Sequence, residues 1–222
     1  MSETIEKHFN NSSIKVGVLS GPNLAREIAD EKVAGTVIAS KHADLCQSGR
    51  EILSSSTFKI YTSTDTQGIE LAGALKNIYA IISGYCHSLD VGENAIGLIL
   101  TRSMAEMSNF AVSKGANPIT FLGLAGMGDL VATCFSKLSR NYQFGWAIGE
   151  GLDIDAAKKK VGQVAEGLNT IKIIHSEISS SEIKMPLVSG IHEILFNNGS
   201  KELLLEQIIN SEIYVDVNFD VE

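Results

Sequence analysis

A long apolar run from Leu71 to Ile82 contains a single lysine, Lys76. Large apolar residues recur at the spacing of one helical face, which must pack against other elements. These residues are Leu71, Leu75, Ile78 and Ile82. Lys76 lies on an adjacent face among small residues, where a ligand or another backbone could approach it. From there to residue 100 the only other formal charges are Asp90 and Glu93, so we expect Lys76 to be partly desolvated and able to exchange protons. The structural alternative is a lysine whose stem carries its ammonium to the surface.

The composition is that of a soluble globular protein, with 222 residues, 44% of them hydrophobic and 20% charged. A net charge of -8 argues against nucleic acid or an anionic membrane surface as the partner, so an anionic ligand would need a local arrangement. No signal-peptide core precedes residue 14, and no apolar run is long enough to span a membrane. Three cysteines without disulfide or metal spacing, Cys46, Cys86 and Cys134, are expected to be buried in a cytoplasmic protein.

Strands and helices alternate up to Thr64, and only helical patterns follow. The predicted strands cover residues 14–19, 35–40 and 58–62, with helices at 23–28 and 43–53 between them. This alternation of strands and helices predicts a largely parallel sheet. Three strands are too few for an independent sheet of that kind, so we expect them to be the end of a larger sheet. We therefore predict an α/β remnant at residues 1–64 and an all-helical domain at residues 65–222.

Capping patterns set the beginnings of the later helices. Asp65 or Thr66 can cap the helix that carries Lys76, and Asn117 before Pro118 begins another helical segment. The remaining helices are predicted at residues 94–114, 139–149, 154–161, 167–177, 187–196 and 201–209. The acidic tail at residues 213–222 lacks periodicity and is expected to be loosely ordered.

Two short motifs could approach a ligand through their backbone. Ser20-Gly21-Pro22-Asn23 joins a strand to a helix at the carboxyl end of the sheet, where ligands of open α/β sheets bind, although a tight turn by itself is the simpler explanation. A glycine-rich segment at residues 123–128 lacks the glycine spacing of a nucleotide fingerprint and leads to Asp129. This aspartate could hold a hydroxyl or orient the Lys76 ammonium, or it could simply cap a helix.

A third motif, Ser139-Arg140-Asn141, combines a hydroxyl, a guanidinium and an amide at a predicted helix start. These donors and the helix dipole suit a phosphate monoester, whereas an ordinary surface cap is the alternative. Glu166 lies beside a turn and could accept a hydrogen bond from a ribose hydroxyl, or it could simply be solvated. The five histidines share no ligand spacing, so the sequence assigns no metal site.

Six motifs in one colinear series resemble the bacterial-type glycerol-3-phosphate dehydrogenase that uses NAD or NADP. They are Leu19-Ser20-Gly21-Pro22, Gly73-Ala74-Leu75-Lys76-Asn77, Gly92-Glu93-Asn94-Ala95, Ala125-Gly126-Met127-Gly128-Asp129-Leu130, Ser139-Arg140-Asn141-Tyr142-Gln143-Phe144-Gly145 and Val164-Ala165-Glu166-Gly167. The resemblance implies a Rossmann-type sheet followed by a helical substrate domain like the 6-phosphogluconate dehydrogenase C-terminal domain. It also implies a homodimer that interconverts sn-glycerol 3-phosphate and dihydroxyacetone phosphate for phospholipid synthesis.

The resemblance also implies residue roles. Lys76 matches the proton-exchanging lysine. Positions that contact the substrate are matched by Gly21, Asn23, Lys76, Asp129, Ser139, Arg140 and Asn141, and positions near the dinucleotide by Ala25, Arg140, Val164 and Glu166. Asn23 departs from the serine or threonine often found there.

One large departure concerns the family's glycine fingerprint, which is absent before the first predicted strand. We therefore expect an N-terminally shortened form that is a poor dehydrogenase or an inactive one by itself. Two alternatives stay open: a related hydroxy-acid dehydrogenase, and a catalytically silent helical domain that acts by dimerisation.

Overall fold

The structure, a computed structural model, describes residues 1–9, 14–162 and 166–210. Its first part contains the strands β1 (Val18–Ser20), β2 (Ala34–Ala39) and β3 (Phe58–Ser63) and the helices α1 (Ser2–Phe9), α2 (Ala25–Ala29) and α3 (Ala43–Leu53). The helices that follow are α4 (Thr66–Ser88), α5 (Glu93–Ser113), α6 (Asp129–Phe135), α7 (Arg140–Gly149), α8 (Ile154–Val161), α9 (Glu166–Ile178), α10 (Pro186–Phe196) and α11 (Leu203–Ile209). A short sheet followed by helices confirms the predicted fold class.

The sheet has the order β1-β2-β3, and it is only half parallel. β2 and β3 are parallel, with Ala34 opposite Phe58, whereas β1 runs antiparallel to β2, with Val18 opposite Ala39. The prediction of a largely parallel sheet was therefore wrong for its first strand. Of the predicted strand at residues 14–19, only residues 18 and 19 join the ladder, which also includes Ser20. Alternation of strands and helices favours parallel neighbours, but it does not fix the direction of each pair, which depends on how the strands pack.

Two elements near the N-terminus differ from the prediction. α2 begins at Ala25 rather than at Asn23, because the Asn23 side-chain amide donates to Thr36 Oγ1 at 2.9 Å instead of capping the helix. α1 was not predicted, since none of its residues is buried. It is held to α4 through Ser2, whose N–H and hydroxyl donate to the Glu70 carboxylate at 2.8 and 2.9 Å.

α4 is the centre of the helical part and packs against α5, α6, α7 and α9. The side chains of Leu75, Ile78 and Ile82 are fully buried, as the apolar pattern predicts. Asp65 begins the helix by accepting from the Gly68 N–H at 2.8 Å. The same carboxylate accepts from the Thr120 hydroxyl at 2.6 Å and so ties α4 to a 3-10 turn at Pro118–Leu122.

A buried carboxylate, Glu106 on α5, lies inside the helical core. It accepts from the Tyr79 hydroxyl at 3.0 Å and from the Leu187 N–H at 2.7 Å. The Leu187 N–H belongs to the first turn of α10, so Glu106 satisfies a helix donor that would otherwise lack a partner. The three cysteines are buried and free, as predicted. Among the helices of the described ranges, we find none whose length and hydropathy suit a bilayer crossing.

Candidate active site

Lys76 and Asp129 form an ion pair between α4 and α6. The Lys76 side chain is 20% exposed and the Asp129 side chain 2% exposed, so the pair lies at the margin of the core rather than in bulk solvent. Gly73, one turn earlier on α4, lies close to β1, where an added Cβ would come within 3.0 Å of Ser20 Oγ. The ion pair holds the ammonium in place, and the side chain keeps partial access to solvent.

The Asp129 carboxylate is held by several groups besides Lys76. The Thr133 hydroxyl, one helical turn later, donates to Asp129 Oδ1 at 3.2 Å and to its backbone oxygen at 2.6 Å. The backbone N–H of Gly21 also faces this carboxylate and lowers its pKa. Burial is the largest effect and raises the pKa of Asp129 above its usual value, while Lys76 opposes that shift. The structure thus brings Gly21, Lys76 and Asp129 together.

The glycine-rich segment before Asp129 has a structural role in this arrangement. It forms a π-helical turn, Leu124–Gly128, that runs directly into α6. A side chain at Gly126 would overlap the backbone of Phe121. Asp129 is therefore presented at the start of a helix by a close backbone crossing, and its side chain pairs with Lys76 instead of capping.

Asn141 joins the residue after Lys76 to the beginning of α9. Its side-chain amide donates to Asn77 Oδ1 at 2.9 Å, and its Oδ1 accepts from the Gly167 N–H at 3.0 Å. The predicted substrate contact at Asn141 thus has two protein partners. This bridge places the first turn of α7 beside the Lys76 segment of α4.

Ser139 and Arg140 occupy the N-terminus of α7, as the motif predicts. The Ser139 hydroxyl caps the helix by accepting from the Tyr142 N–H at 3.3 Å. Arg140 is half exposed, and its guanidinium lies 4.0 Å from the Glu166 carboxylate at the start of α9. These two predicted cofactor contacts are therefore neighbours.

The remaining predicted residues lie on the sheet side or outside the described ranges. Ala25 is an exposed residue at the start of α2. Asn23 is partly buried, and its Oδ1 has no hydrogen-bond partner among the described residues. Val164 falls in the interval 163–165 and lies outside the described residues, as does the tail at 213–222.

Sequence reasoning did not assign Thr133. Its hydroxyl supports Asp129 from a position four residues later, and this i, i+4 spacing on a helix is the signal that could have indicated it. Asn77 was considered as a hydrogen-bond partner, but its role as the acceptor for Asn141 depends on the packing of α7 against α4.

Two family models match this chain, and both describe NAD-dependent dehydrogenases. The model of the NAD-dependent glycerol-3-phosphate dehydrogenase C-terminus matches residues 65–206, and that of the N-terminus matches residues 1–46. The chain therefore belongs to the NAD-dependent glycerol-3-phosphate dehydrogenase family.

Individual relatives agree with this assignment. A glycerol-3-phosphate dehydrogenase [NAD(P)+] of Pseudomonas syringae pv. tomato is 51% identical over 219 residues, which are 99% of this chain and 64% of the relative. One from Pseudomonas putida is 50% identical over 205 residues, or 92% of this chain and 60% of the relative. The chain thus spans 60–64% of the length of these relatives.

Solved structures show the same fold. The crystal structure of glycerol-3-phosphate dehydrogenase from Coxiella burnetii is 33% identical, with a TM-score of 0.88 over 94% of this chain and 64% of that chain. The enzyme from Saccharomyces cerevisiae is 28% identical, with a TM-score of 0.83 over 93% of this chain and 62% of that chain.

Proposed function

We propose that this chain provides the substrate-binding and proton-transfer part of a glycerol-3-phosphate dehydrogenase. The reaction interconverts sn-glycerol 3-phosphate and dihydroxyacetone phosphate, with NAD or NADP as the redox partner, and would serve phospholipid synthesis in the cytoplasm. The observation that carries this proposal is the Lys76–Asp129 pair, which is held between α4 and α6 with little exposure to solvent. Residues 65–222 would form the substrate domain, and residues 1–64 would belong to the dinucleotide-binding domain.

Lys76 supplies the proton in the reductive direction. As a hydride adds to C2 of the ketone, the Lys76 ammonium gives a proton to the C2 oxygen, which becomes the hydroxyl of glycerol 3-phosphate. In the oxidative direction the neutral amine takes that proton back. Asp129 keeps the ammonium in place and, through Thr133, is itself fixed in orientation.

The substrate phosphate binds at the N-terminus of α7. Arg140 presents a half-exposed guanidinium there, the helix dipole favours negative charge, and Ser139 adds a hydroxyl. Asn141 connects this helix start to Asn77, next to Lys76. The phosphate end and the reacting carbon would therefore be held by adjoining segments.

The dinucleotide would lie between the sheet side and the start of α9. When bound, it supplies or accepts the hydride. The exposed Glu166 carboxylate would accept from a ribose hydroxyl there, so the residues present fit this ligand. The unpartnered Oδ1 of Asn23, at a position that the resemblance assigns to the substrate, would accept from a substrate hydroxyl. Ala25, Arg140, Val164 and Glu166 would adjoin the dinucleotide.

The direct test follows oxidation of NADH or NADPH with dihydroxyacetone phosphate, in the longest form of the protein that carries this chain, because the chain alone is expected to be a poor dehydrogenase. We expect Lys76→Ala to lower kcat by about 100-fold or more, since a positioned general acid contributes at least that much. Lys184→Ala, at an exposed lysine outside the proposed site, is the matched control and should keep the wild-type rate. Full turnover in Lys76→Ala would show that the lysine does not transfer the proton.

Phosphate recognition is tested separately by titrating the chain with sn-glycerol 3-phosphate and with glycerol. Arg140→Ala should weaken binding of the phosphorylated compound about tenfold or more, because a charge-assisted contact is lost. Glycerol should bind weakly to both proteins. Equal affinity of wild type and variant for glycerol 3-phosphate would place the phosphate elsewhere.

A further inference from the structure

Two histidines from neighbouring helices lie face to face, outside the proposed dehydrogenase site. His175 belongs to α9 and His192 to α10. Their ring centroids are 3.6 Å apart, and the ring planes differ by only 4°. Glu193 follows directly, and one potential ligand atom from each of the three residues lies within 4.8 Å of the others. All three side chains are partly buried.

Within the described ranges, one donor atom of this cluster is buried without a partner, and another group is held in position. Nδ1 of His192 is buried and has no hydrogen-bond partner among the described residues, and its 3.6 Å separation from the Glu193 carboxylate is too long for a hydrogen bond. The Asn197 side-chain amide donates to both oxygens of the Glu193 carboxylate, at 3.0 and 2.9 Å, and so fixes that carboxylate beside the rings.

We propose that His175, His192 and Glu193 bind a divalent transition-metal ion of the Zn²⁺ class, which links α9 to α10. Two imidazoles and one carboxylate are a ligand set that suits zinc and leaves a position open to solvent. Magnesium and calcium prefer oxygen ligands and are disfavoured by this set. An unpaired buried nitrogen is otherwise costly, and a bound ion would satisfy it.

The geometry also predicts what binding changes. A metal ion lies in the plane of each imidazole that binds it, so two parallel rings cannot both coordinate without tilting. Ligand atoms around a tetrahedral zinc are about 3.3 Å apart, which requires the three side chains to close in from their present spacing. The Lys172 ammonium lies 4.7 Å from the centre of the Phe196 ring. Its positive charge interacts electrostatically with His192 and therefore repels a bound cation. We therefore expect micromolar affinity instead of the tighter binding of a closed structural site.

The experiment titrates the 222-residue chain with Zn²⁺ in competition with a chromophoric chelator. We expect one equivalent of Zn²⁺ to bind. His192→Gln and Glu193→Gln should each weaken that binding about tenfold or more, because even the loss of an outer-shell partner lowers metal affinity by that factor. His42→Gln, at a partly exposed histidine on the first part of the chain, is the matched control and should bind as wild type does. Mg²⁺ should not compete.

Nuclear magnetic resonance of the imidazole nitrogens locates the ion. The ¹⁵N signals of His175 and His192 should shift on addition of Zn²⁺, and the His42 signals should not. Glu193→Gln keeps the stacked rings, so it tests the site even if His192→Gln fails to fold. Unmoved ring signals, or the same zinc affinity in wild type and Glu193→Gln, would overturn the proposal and leave the histidines as a packing contact between α9 and α10.

Discussion

At the scale of single residues, two buried carboxylates differ in what balances their charge. Asp129 pairs with Lys76, whereas Glu106 has hydrogen-bond donors from Tyr79 and Leu187 but no ion pair within residues 1–9, 14–162 and 166–210. Burial raises the pKa of Asp129, and it raises the pKa of Glu106 to about 8. The first carboxylate is therefore suited to hold an ammonium, and the second is a source of pH-dependent stability.

Replacing Asp129 should show how strongly the pair is coupled to the fold. Asp129→Asn removes the negative partner of a lysine that is only 20% exposed, and we expect the free energy of unfolding to fall by about 1–3 kcal/mol. Denaturant titration measures this change. Glu177→Gln breaks the more exposed Lys114–Glu177 pair and should cost less than about 1 kcal/mol. Equal losses in the two variants would contradict a special role for burial at Asp129.

Glu106 should make the protein less stable as the pH rises. Its pKa is about 8 in the folded protein and near 4.5 when unfolded, so between these values the folded state binds more protons. The stability that protonated Glu106 provides is complete below about pH 4.5 and is lost as the pH passes through about 8. Thermal unfolding is measured for wild type and Glu106→Gln across this pH range. The stability of wild type should fall more steeply with pH than that of the variant. The raised pKa of Asp129 affects both proteins alike. Parallel curves of stability against pH would therefore exclude the effect of Glu106.

At the scale of secondary-structure elements, the close crossing of α4 and α7 positions the candidate site. Each helix contributes a glycine: a side chain at Gly84 would overlap the Tyr142 carbonyl, and one at Gly145 would overlap the Ile81 carbonyl. This approach lets Asn141 of α7 reach Asn77 of α4. Close backbone packing therefore sets the distance between the proposed phosphate and proton-transfer segments.

Gly145→Ala should accordingly separate the two helices. We expect a loss of about 2–3 kcal/mol in unfolding free energy, because the added methyl group overlaps a backbone atom that cannot move independently. Gly97→Ala on α5 is the matched control, since nothing lies within 4 Å of its new side chain. That variant should gain about 0.5–1 kcal/mol from higher helix propensity. A neutral Gly145→Ala would mean that α4 and α7 are not tightly packed.

At the scale of the whole molecule, large apolar side chains remain exposed on the helical part. Leu98, Leu122 and Phe135 are 46%, 60% and 48% exposed. We expect such side chains to support a homodimer, as the family resemblance implies. Light scattering coupled to size exclusion should give about twice the 23.8 kDa of one chain. A single-chain mass throughout the micromolar range would contradict this prediction.

The sequence by itself determined most of the helices after residue 64 and the chemistry of single positions. Periodicity and caps depend on residues within one or two turns, so local patterns are enough to predict them. They gave the bounds of α3 and α8 and the capping roles of Asp65, Asn117 and Ser139. The motifs also identified the family without any long-range contact.

Only the tertiary structure decided which of these residues meet. Lys76 and Asp129 are 53 residues apart, and Asn77 and Asn141 are 64 apart, so no local pattern brings either pair together. The direction of β1 and the stacking of His175 on His192 likewise depend on how distant elements pack. Sequence spacing reports neighbours along one element, whereas pairing between elements is fixed by the burial of their apolar faces in a common core.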